Sequence, residues 1–306
     1  MDPAIHIEAV NKNFGTVNAL DNISFAVEKG ELFGLIGPDG GGKTTLFRIL
    51  TSLLVPDSGK VSLEGFDTVK EYKEVRKITG YMPGRFSLYY DLSVEENLKF
   101  FATIFGTTID ENYDLIKDIY VQIEPFKDRK AGNLSGGMKQ KLALSCALIH
   151  KPRVLILDEP TTGVDAVSRK EFWEMLKKLK NQGITIIVST PYMDEAGLCD
   201  RVALIQKGRI MQINTPEAIV GNFDHPLFGV TAANMYVLLN DLSMRDGVIS
   251  AHRFGDSIHT SLSDTGSAED LEEQLKAGQH QDISIRRIEP NIEDCFMALM
   301  TRENDR

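Results

Sequence analysis

The feature that most constrains the fold is a glycine-rich stretch, residues 37–44, which reads GPDGGGKT. It matches the pattern G-x-x-x-x-G-K-[ST], and it lies between an apolar run over 31–36 and a stretch of helical periodicity over 44–53. In that position, backbone N–H groups converge on a phosphate at the positive end of a helix dipole. The stretch, called the P-loop below, therefore predicts an α/β fold with a nucleotide-phosphate site; a flexible glycine turn is the alternative.

The chemistry of the P-loop assigns roles to its residues. Lys43 is expected to reach the β- and γ-phosphates of a nucleotide, and the Thr44 hydroxyl is expected to ligate Mg²⁺. The candidate nucleotide-binding residues of this region are Gly37, Gly40, Gly42, Lys43, Thr44 and Thr45.

A second apolar run, over 154–157, ends in the two carboxylates Asp158 and Glu159. A buried strand that delivers two acids at its end suits one of them to Mg²⁺ binding and the other to activating water. Asp158 is therefore the candidate at the metal and Glu159 the candidate catalytic base. An acidic strand end that caps the next loop is the alternative.

The periodicity of the remaining chain predicts two domains, one over residues 1–222 and one over 223–306. In the first, helical spacing over 93–105, 112–123 and 138–150 predicts a helical insertion of about 87–150. Apolar runs over 154–157 and 184–188 flank an amphipathic helix over 166–181, which is typical of βαβ units with a parallel sheet. The pattern after 222 reads strand, helix, strand, strand, helix, strand, and it suggests a small ferredoxin-like α+β domain with a last helix over 291–300.

Composition excludes several classes of protein. The 306 residues carry 34 Lys and Arg against 44 Asp and Glu, a net charge of −10, which argues against nucleic acid as the main partner. Cys146, Cys199 and Cys295 lie far apart without metal-ligand spacing, which favours reduced, packed thiols and a cytosolic setting. No apolar run approaches the ~18 residues of a membrane span, and the amino terminus does not read as an export signal.

Between the P-loop and the acidic strand lie residues 134–140, which read LSGGMKQ. Ser135 can cap a helix while Gly136 and Gly137 expose N–H groups, which makes a second anion site. In this order the motifs resemble those of the ATP-binding-cassette (ABC) ATPases, whose signature motif is LSGGQ. The resemblance covers roughly residues 4–220 and is nearest to the multidrug-type exporter group; an N-capped surface helix is the alternative.

The resemblance implies ATP and Mg²⁺ as ligands and a head-to-tail dimer. In such a dimer, Ser135 and Gly137 of one subunit close over the γ-phosphate that the other subunit's P-loop holds. It also implies that Phe14 stacks on adenine and that Asp165 communicates across the dimer. The alternatives are that Phe14 belongs to the core and that Asp165 caps the following helix.

Two departures from the family pattern bear on hydrolysis. The family has a glutamine, which touches Mg²⁺ and water and senses the membrane subunit, where this chain has Gly84. At the position of Pro191, the family has a histidine, which hydrogen-bonds the γ-phosphate. Losing one such donor costs ~10²–10³ in rate, so hydrolysis at the chain's own site is expected to be impaired. Substitution of the missing groups by Thr190 or Tyr192 is the alternative.

The implied function is that of an ATP-binding exporter subunit, peripheral on the cytoplasmic face of the cell membrane. Its implied partners are transmembrane subunits and a second ABC ATPase subunit, identical or different. A non-hydrolysing nucleotide-binding regulator and a soluble cassette that acts on ribosomes or DNA are the rivals. The segment 224–306 is expected to stabilise or gate the dimer. Its last helix carries Ile292, Phe296 and Leu299 on one face, for docking on a partner or on its own domain.

Overall fold

The structure is a computed structural model that describes residues 2–263 and 267–304, and it splits into two compact units at Pro216/Glu217. Its strands, in chain order, are β1 (Ile5–Phe14), β2 (Val17–Val27), β3 (Leu32–Ile36), β4 (Ser58–Leu63), β5 (Phe66–Asp67), β6 (Thr79–Met82), β7 (Val154–Asp158), β8 (Thr185–Thr190), β9 (Arg201–Gln206), β10 (Arg209–Asn214), β11 (Leu227–Thr231), β12 (Val248–Phe254), β13 (Ser257–Leu262) and β14 (Ser284–Arg287). Its α-helices are α1 (Lys43–Leu50), α2 (Tyr72–Ile78), α3 (Val94–Ile104), α4 (Ile109–Tyr120), α5 (Gly136–Leu148), α6 (Ala166–Asn181), α7 (Pro216–Gly221), α8 (Met235–Leu242), α9 (Ala268–Ala277) and α10 (Ile292–Asn304). None of these helices in the described ranges is long and apolar enough to cross a bilayer.

The first unit is built on a six-stranded sheet of order β10-β9-β3-β8-β7-β6. Neighbouring strands in this sheet pair in parallel, except for β9 and β10, which are antiparallel. The strands β7 and β8 are buried along their whole length. Short apolar runs form such strands because both faces of a parallel sheet are covered. The carboxyl ends of β3, β7 and β8 therefore share one edge, where Ile36 is paired with Thr190 and Asp158 with Ser189.

A second, antiparallel sheet of order β2-β1-β4-β5 completes the core of this unit. One apolar cluster joins both sheets to α1, whose Leu46, Phe47, Ile49 and Leu50 are fully buried. This burial holds α1, and with it the P-loop, at the edge where the parallel strands end.

The predicted helical insertion corresponds to α3, α4 and α5. Capping boxes at Ser93/Glu96 and Thr108/Glu111 start the first two helices, because each side chain satisfies a free N–H of the first turn. The cap at Thr108 makes α4 begin a few residues before the predicted 112.

The elements of the first unit that were not predicted from the sequence include β6 and the short helix α2. β6 has only four residues, and it becomes a strand by pairing with β7, Thr79 opposite Val154. The units separate at 216/217, whereas the sequence pattern places the boundary at 222/223. α7 is associated with the second unit, where the Cys295 thiol lies 3.6 Å from the Ile219 carbonyl oxygen.

The second unit has the chain order β11-α8-β12-β13-α9-β14, followed by α10, as the sequence pattern predicts. Its sheet is antiparallel with the order β12-β13-β11-β14. α10 is held by Asp294, whose Oδ1 lies 2.7 Å from Nδ1 of His259 on β13. Ile292 and Phe296 are buried within the chain itself, so this part of the apolar stripe does not require a partner.

Cys146, Cys199 and Cys295 are free and buried. Burial raises the pKa of the Cys295 thiol to about 11, and burial also raises the pKa of Cys146 and Cys199. These thiols stay protonated, which agrees with the packed role expected from their spacing.

Candidate nucleotide site

The P-loop runs so close to its neighbours that two of its glycines have no space for a side chain. A Cβ at Gly37 would lie 2.1 Å from the Ile205 carbonyl oxygen, and one at Gly42 would lie 2.6 Å from that of Ala19. Gly42 also has a φ of 103°, in the left-handed region, directly before α1. The path of the loop therefore requires glycine at both positions.

The N-terminus of α1 presents free backbone donors. Gly42 supplies no side-chain cap, and among the described residues no backbone acceptor bonds the N–H groups of Lys43, Thr44 or Thr45. Such groups carry the positive end of the helix dipole and are satisfied by water or by an anion. The local geometry therefore fits a phosphate.

Lys43 and Glu159, predicted as the phosphate-binding cation and the base, lie in contact. The Lys43 ammonium donates to the carbonyl oxygens of Gly37 (2.8 Å) and Pro38 (3.0 Å), and it lies 3.2 Å from Glu159 Oε1. Only 3% of the Lys43 side chain is exposed, against 22% for Glu159. The fold thus holds a buried cation between the loop and the carboxylate.

The end of β7 is fixed by Ser189 on β8. Ser189 Oγ donates to Asp158 Oδ1 at 2.7 Å, and the Glu159 N–H lies 3.0 Å from the same hydroxyl and 3.1 Å from the Ser189 carbonyl oxygen. Glu159 has a φ of 49°, which is rare for a non-glycine residue and turns the chain sharply after Asp158. Burial, followed by the charge of Asp158, raises the pKa of nearby Tyr81 to about 12.

Gly84 lies against this acidic strand end. A Cβ at Gly84 would be 3.1 Å from the Asp158 carbonyl oxygen. Gly84 and Glu159 also line an apolar cavity of about 460 Å³, whose walls come from β6, α3, α5 and the segment after Gly84. Position 84 therefore lies both beside the acidic strand end and in the lining of this cavity, called the groove below.

Thr190 and Tyr192, the residues that flank Pro191, are both engaged. Thr190 is fully buried, and its hydroxyl accepts a hydrogen bond from the Tyr192 N–H at 3.0 Å. The Arg169 guanidinium packs over the Tyr192 ring, with its central carbon 4.4 Å from the ring centroid. These contacts hold the segment that follows β8.

Sequence reasoning missed the buried carboxylate Glu195. Only 1% of the residue is exposed; its carboxylate accepts from Thr161 Oγ1 at 2.8 Å and from Arg169 Nε at 3.1 Å. Through Arg169 and Thr161 it joins the segment after β8 to the segment after β7. The only sequence signal was its position shortly after Pro191, in a stretch that reads like an exposed turn.

Residues 134–138, called the signature motif below, begin α5 beside α6. Ser135 caps α5 by accepting from the Met138 N–H at 3.4 Å, and Asp165 caps α6 by accepting from Val167 (3.1 Å) and Ser168 (3.0 Å). The hydrogen bonds from Ser168 hold the pKa of Asp165 below its usual range. The capping alternative for Asp165 is thus confirmed, and its role across a dimer stays a prediction.

The signature motif is not brought to the chain's own P-loop. Within residues 2–263 and 267–304, no hydrogen bond or ion pair joins residues 134–138 to residues 37–45. Within the described part of one chain, the two predicted anion sites therefore share no polar contact.

Replacing Gly137 by alanine is expected to lower the free energy of unfolding by about 1–3 kcal/mol, as overpacking does. The reason is that the new Cβ would lie 2.7 Å from Ser168 Oγ and 3.0 Å from Ser168 Cβ. Gly136→Ala is the matched control, because its nearest neighbour is the Gly163 carbonyl oxygen at 3.7 Å. Urea unfolding followed by Trp173 fluorescence measures both; equal stabilities would contradict the prediction.

Phe14 lies at the end of β1, and 49% of the residue is exposed. The alternative that it belongs to the core is wrong. Its ring lies 5.7 Å from the Lys12 ammonium, and it pairs with Val17 at the end of the β1–β2 hairpin. Ala19 of the same hairpin contacts the P-loop at Gly42, so Phe14 lies on an element beside the candidate phosphate site. Adenine stacking by Phe14 stays a prediction.

Comparison with known proteins identifies the family. Residues 20–162 match the family model described as ABC transporter. Nod factor export ATP-binding protein I of Rhizobium sp. (strain N33) is 34% identical over 312 residues, 99% of this chain and 99% of that protein. The chain belongs to the ABC transporter ATP-binding proteins.

Other relatives agree with this assignment of the ABC cassette. The "Probable multidrug ABC transporter ATP-binding protein YbhF" of Escherichia coli (strain K12) is 36% identical over 309 residues, 98% of this chain, which spans about half (52%) of the length of that protein. The solved structure of cbiO1 from Clostridium perfringens, part of the ABC transporter complex cbiONQ, has a TM-score of 0.65 at 26% identity and covers 80% of this chain and 96% of that one. The first unit is therefore an α/β P-loop ATPase cassette.

Proposed function

We propose that this ABC cassette is the ATP-binding subunit of a membrane exporter. The proposal rests on the contact between Lys43 and Glu159 at the P-loop, which places a phosphate-binding cation and a candidate base at one site. The printed names of two relatives, one for Nod factor export and one for a multidrug transporter, support the class of transport.

MgATP is the substrate that fits these residues. Lys43 and the free N–H groups of α1 are the donors for its phosphates. The Thr44 hydroxyl and the Asp158 carboxylate, which Ser189 orients, supply oxygen atoms for the Mg²⁺ site. Glu159 is the base for the attacking water. The close approach of Gly37 and Gly42 to their neighbours supports this assignment, because at these two positions the path of the loop leaves no space for a side chain.

Hydrolysis at the chain's own site is proposed to be slow. Gly84 has no side chain to contact Mg²⁺ or water, and Pro191 has neither a side-chain donor nor an N–H. Thr190 and Tyr192 are held by the contacts described above, which favours impairment over substitution by these two residues.

A head-to-tail dimer is proposed to complete the site. Its support is that the signature motif makes no polar contact with the P-loop of the same chain in the described residues, so Ser135 and Gly137 are left to serve a second cassette. One similar solved structure is titled "Dimeric Structure of MJ0796, a Bacterial ABC Transporter Cassette". It has a TM-score of 0.63 at 25% identity and covers 69% of this chain and 98% of that one. If the site on this chain is impaired, a heterodimer is the best arrangement, because the partner cassette then supplies a complete hydrolytic site of its own.

Transmembrane subunits are the proposed partners, and the cytoplasmic face of the membrane the proposed location. The groove beside Gly84 supports this, since it places an apolar surface next to the residue where the family senses its membrane subunit. Membranes of the source cells are sedimented and washed, and the tagged chain is followed. The tagged chain is expected to sediment with untreated membranes, and not with membranes whose proteins were digested, and the protease removed, before the chain was added. A chain found only in the supernatant in both cases would contradict the proposal.

The second unit is proposed to be a ferredoxin-like domain that stabilises or gates the dimer. Its strand order β12-β13-β11-β14, with α8 and α9 after the first and third strands of the unit, supports the assignment. No role in the chemistry is proposed for it.

Deleting residues 217–306 is expected to leave the affinity for MgATP unchanged and to weaken ATP-dependent association. The reason is that the P-loop, Asp158 and Glu159 all lie in the first unit. Calorimetry measures the affinity, and analytical ultracentrifugation measures association; circular dichroism verifies that the truncated chain is folded. Loss of ATP binding by a folded truncation would show instead that the second unit completes the site.

A further inference from the structure

Lys139, in the first turn of α5, packs against two aromatic rings of the segment that follows Gly84. Its ammonium nitrogen lies 5.7 Å from the ring centroid of Phe86 and 5.4 Å from that of Tyr90. The two rings meet edge to face, with centroids 5.0 Å apart. A cation placed over two aromatic faces is attracted by both.

The same segment also holds the chain just before the signature motif. The Gly132 N–H donates to the Tyr90 carbonyl oxygen at 3.0 Å, and the Ala131 N–H donates to that of Leu92 at 2.8 Å. A Cβ at Gly132 would lie 3.4 Å from the Tyr90 ring, so the two segments are in close contact. Residues 86–92 thus contact the chain on both sides of the signature motif.

One side of this segment faces the groove. Gly84, Phe86 and Leu88 line the cavity together with Ala143 of α5. Phe86 therefore touches both the cavity and Lys139, and a displacement of its ring would change the contact that holds the first turn of α5.

We propose that Lys139 is a positioning residue, and that Phe86, Tyr90 and Lys139 form a clamp that ties the signature motif to the wall of the groove. Through the clamp, the position of the groove wall is passed to the signature motif and so to the ATP that a second cassette would hold; this clause rests on the proposed function.

The clamp is tested in the full-length chain by hydrogen exchange of the backbone amides of residues 139–142. Lys139→Met removes the charge at similar length, and Tyr90→Leu removes one ring and leaves the lysine. Each is expected to speed exchange of these amides about five- to tenfold, and Lys139→Arg, which keeps a cation, is expected to restore the wild-type rate. The double variant is expected to exchange no faster than Lys139→Met alone, because Lys139→Met already removes the contact of the lysine with both rings. Unchanged exchange in Lys139→Met, or fully additive effects, would overturn the clamp.

A second measurement tests the positioning role. Lys139→Met and Tyr90→Leu are expected to weaken MgATP-driven association of the chain about five- to tenfold, with the MgATP affinity of the monomer unchanged and with rescue in Lys139→Arg. If Tyr90→Leu associates like wild type while Lys139→Met does not, Lys139 acts on the nucleotide directly and the proposal is overturned. A wild-type chain that neither binds MgATP nor associates would refute the proposed function, and the exchange rates would still decide the clamp.

Discussion

Replacing Lys43 by alanine is expected to weaken MgATP binding by at least about 100-fold. The Lys43 ammonium is the buried cation of the P-loop, 3% exposed and already aligned by the carbonyl oxygens of Gly37 and Pro38. Charge-assisted hydrogen bonds are worth about 1.5–3 kcal/mol each, and a loss of about 2.7 kcal/mol corresponds to 100-fold in affinity. Calorimetric titration of MgATP measures the change.

Two controls accompany this variant. Lys178→Ala removes an exposed lysine outside the site and is expected to bind MgATP like wild type. Thermal unfolding verifies that the Lys43→Ala chain is folded, because the substitution leaves the Glu159 carboxylate without its partner. An unchanged dissociation constant in a folded variant would refute the assignment of residues 37–44 as the phosphate-binding loop.

Restoring the two family residues, by Gly84→Gln with Pro191→His, is expected to raise the ATP turnover of the chain by ~10² or more. A single well-placed donor to developing charge is worth ~10²–10³ in rate. A Cβ at Gly84 would lie 3.1 Å from the Asp158 carbonyl oxygen, so the glutamine requires a shift of a few tenths of an ångström. Pro191→His also returns a backbone N–H.

The matched control for this pair is Gly84→Ala with Pro191→Ala. It adds the same Cβ at position 84 and the same N–H at position 191 but no functional group, and it is expected to turn over like wild type. Steady-state phosphate release measures all three chains. Equal turnover in the alanine pair and the restored pair would show that backbone changes, and not the glutamine and histidine, determine the rate.

The sequence was sufficient for the parts of the site that depend on local patterns. The P-loop follows β3 and opens α1 as its motif predicts, and the run over 154–157 delivers Asp158 and Glu159 at the same sheet edge. Both follow from one fact: a buried parallel strand reads as an apolar run, and its polar continuation emerges at its carboxyl end. The caps at Ser135 and Asp165 were also predictable, because serine and aspartate are preferred at the N-cap of a helix.

Contacts between distant residues could not be read from the sequence. The left-handed turn at Glu159 depends on hydrogen bonds to Ser189, which lies 30 positions away. Glu195 looks like a surface acid, yet it is buried and hydrogen-bonded to Thr161 and Arg169, and no local pattern pairs these residues. Whether Phe14 is exposed depends on which face of the β1–β2 hairpin is turned to the core, which the alternation of side chains does not determine alone.

The measurement that tests the central claim most directly is the steady-state turnover of the wild-type chain at a MgATP concentration that calorimetry shows to be saturating. The central claim is that the site binds MgATP through Lys43 but hydrolyses it slowly, because Gly84 and Pro191 supply neither contact to the reacting phosphate. We predict saturable binding with a turnover well below ~1 s⁻¹, the lower end of the range typical of enzymes. A turnover of ~1 s⁻¹ or more by the wild-type chain alone would contradict the claim.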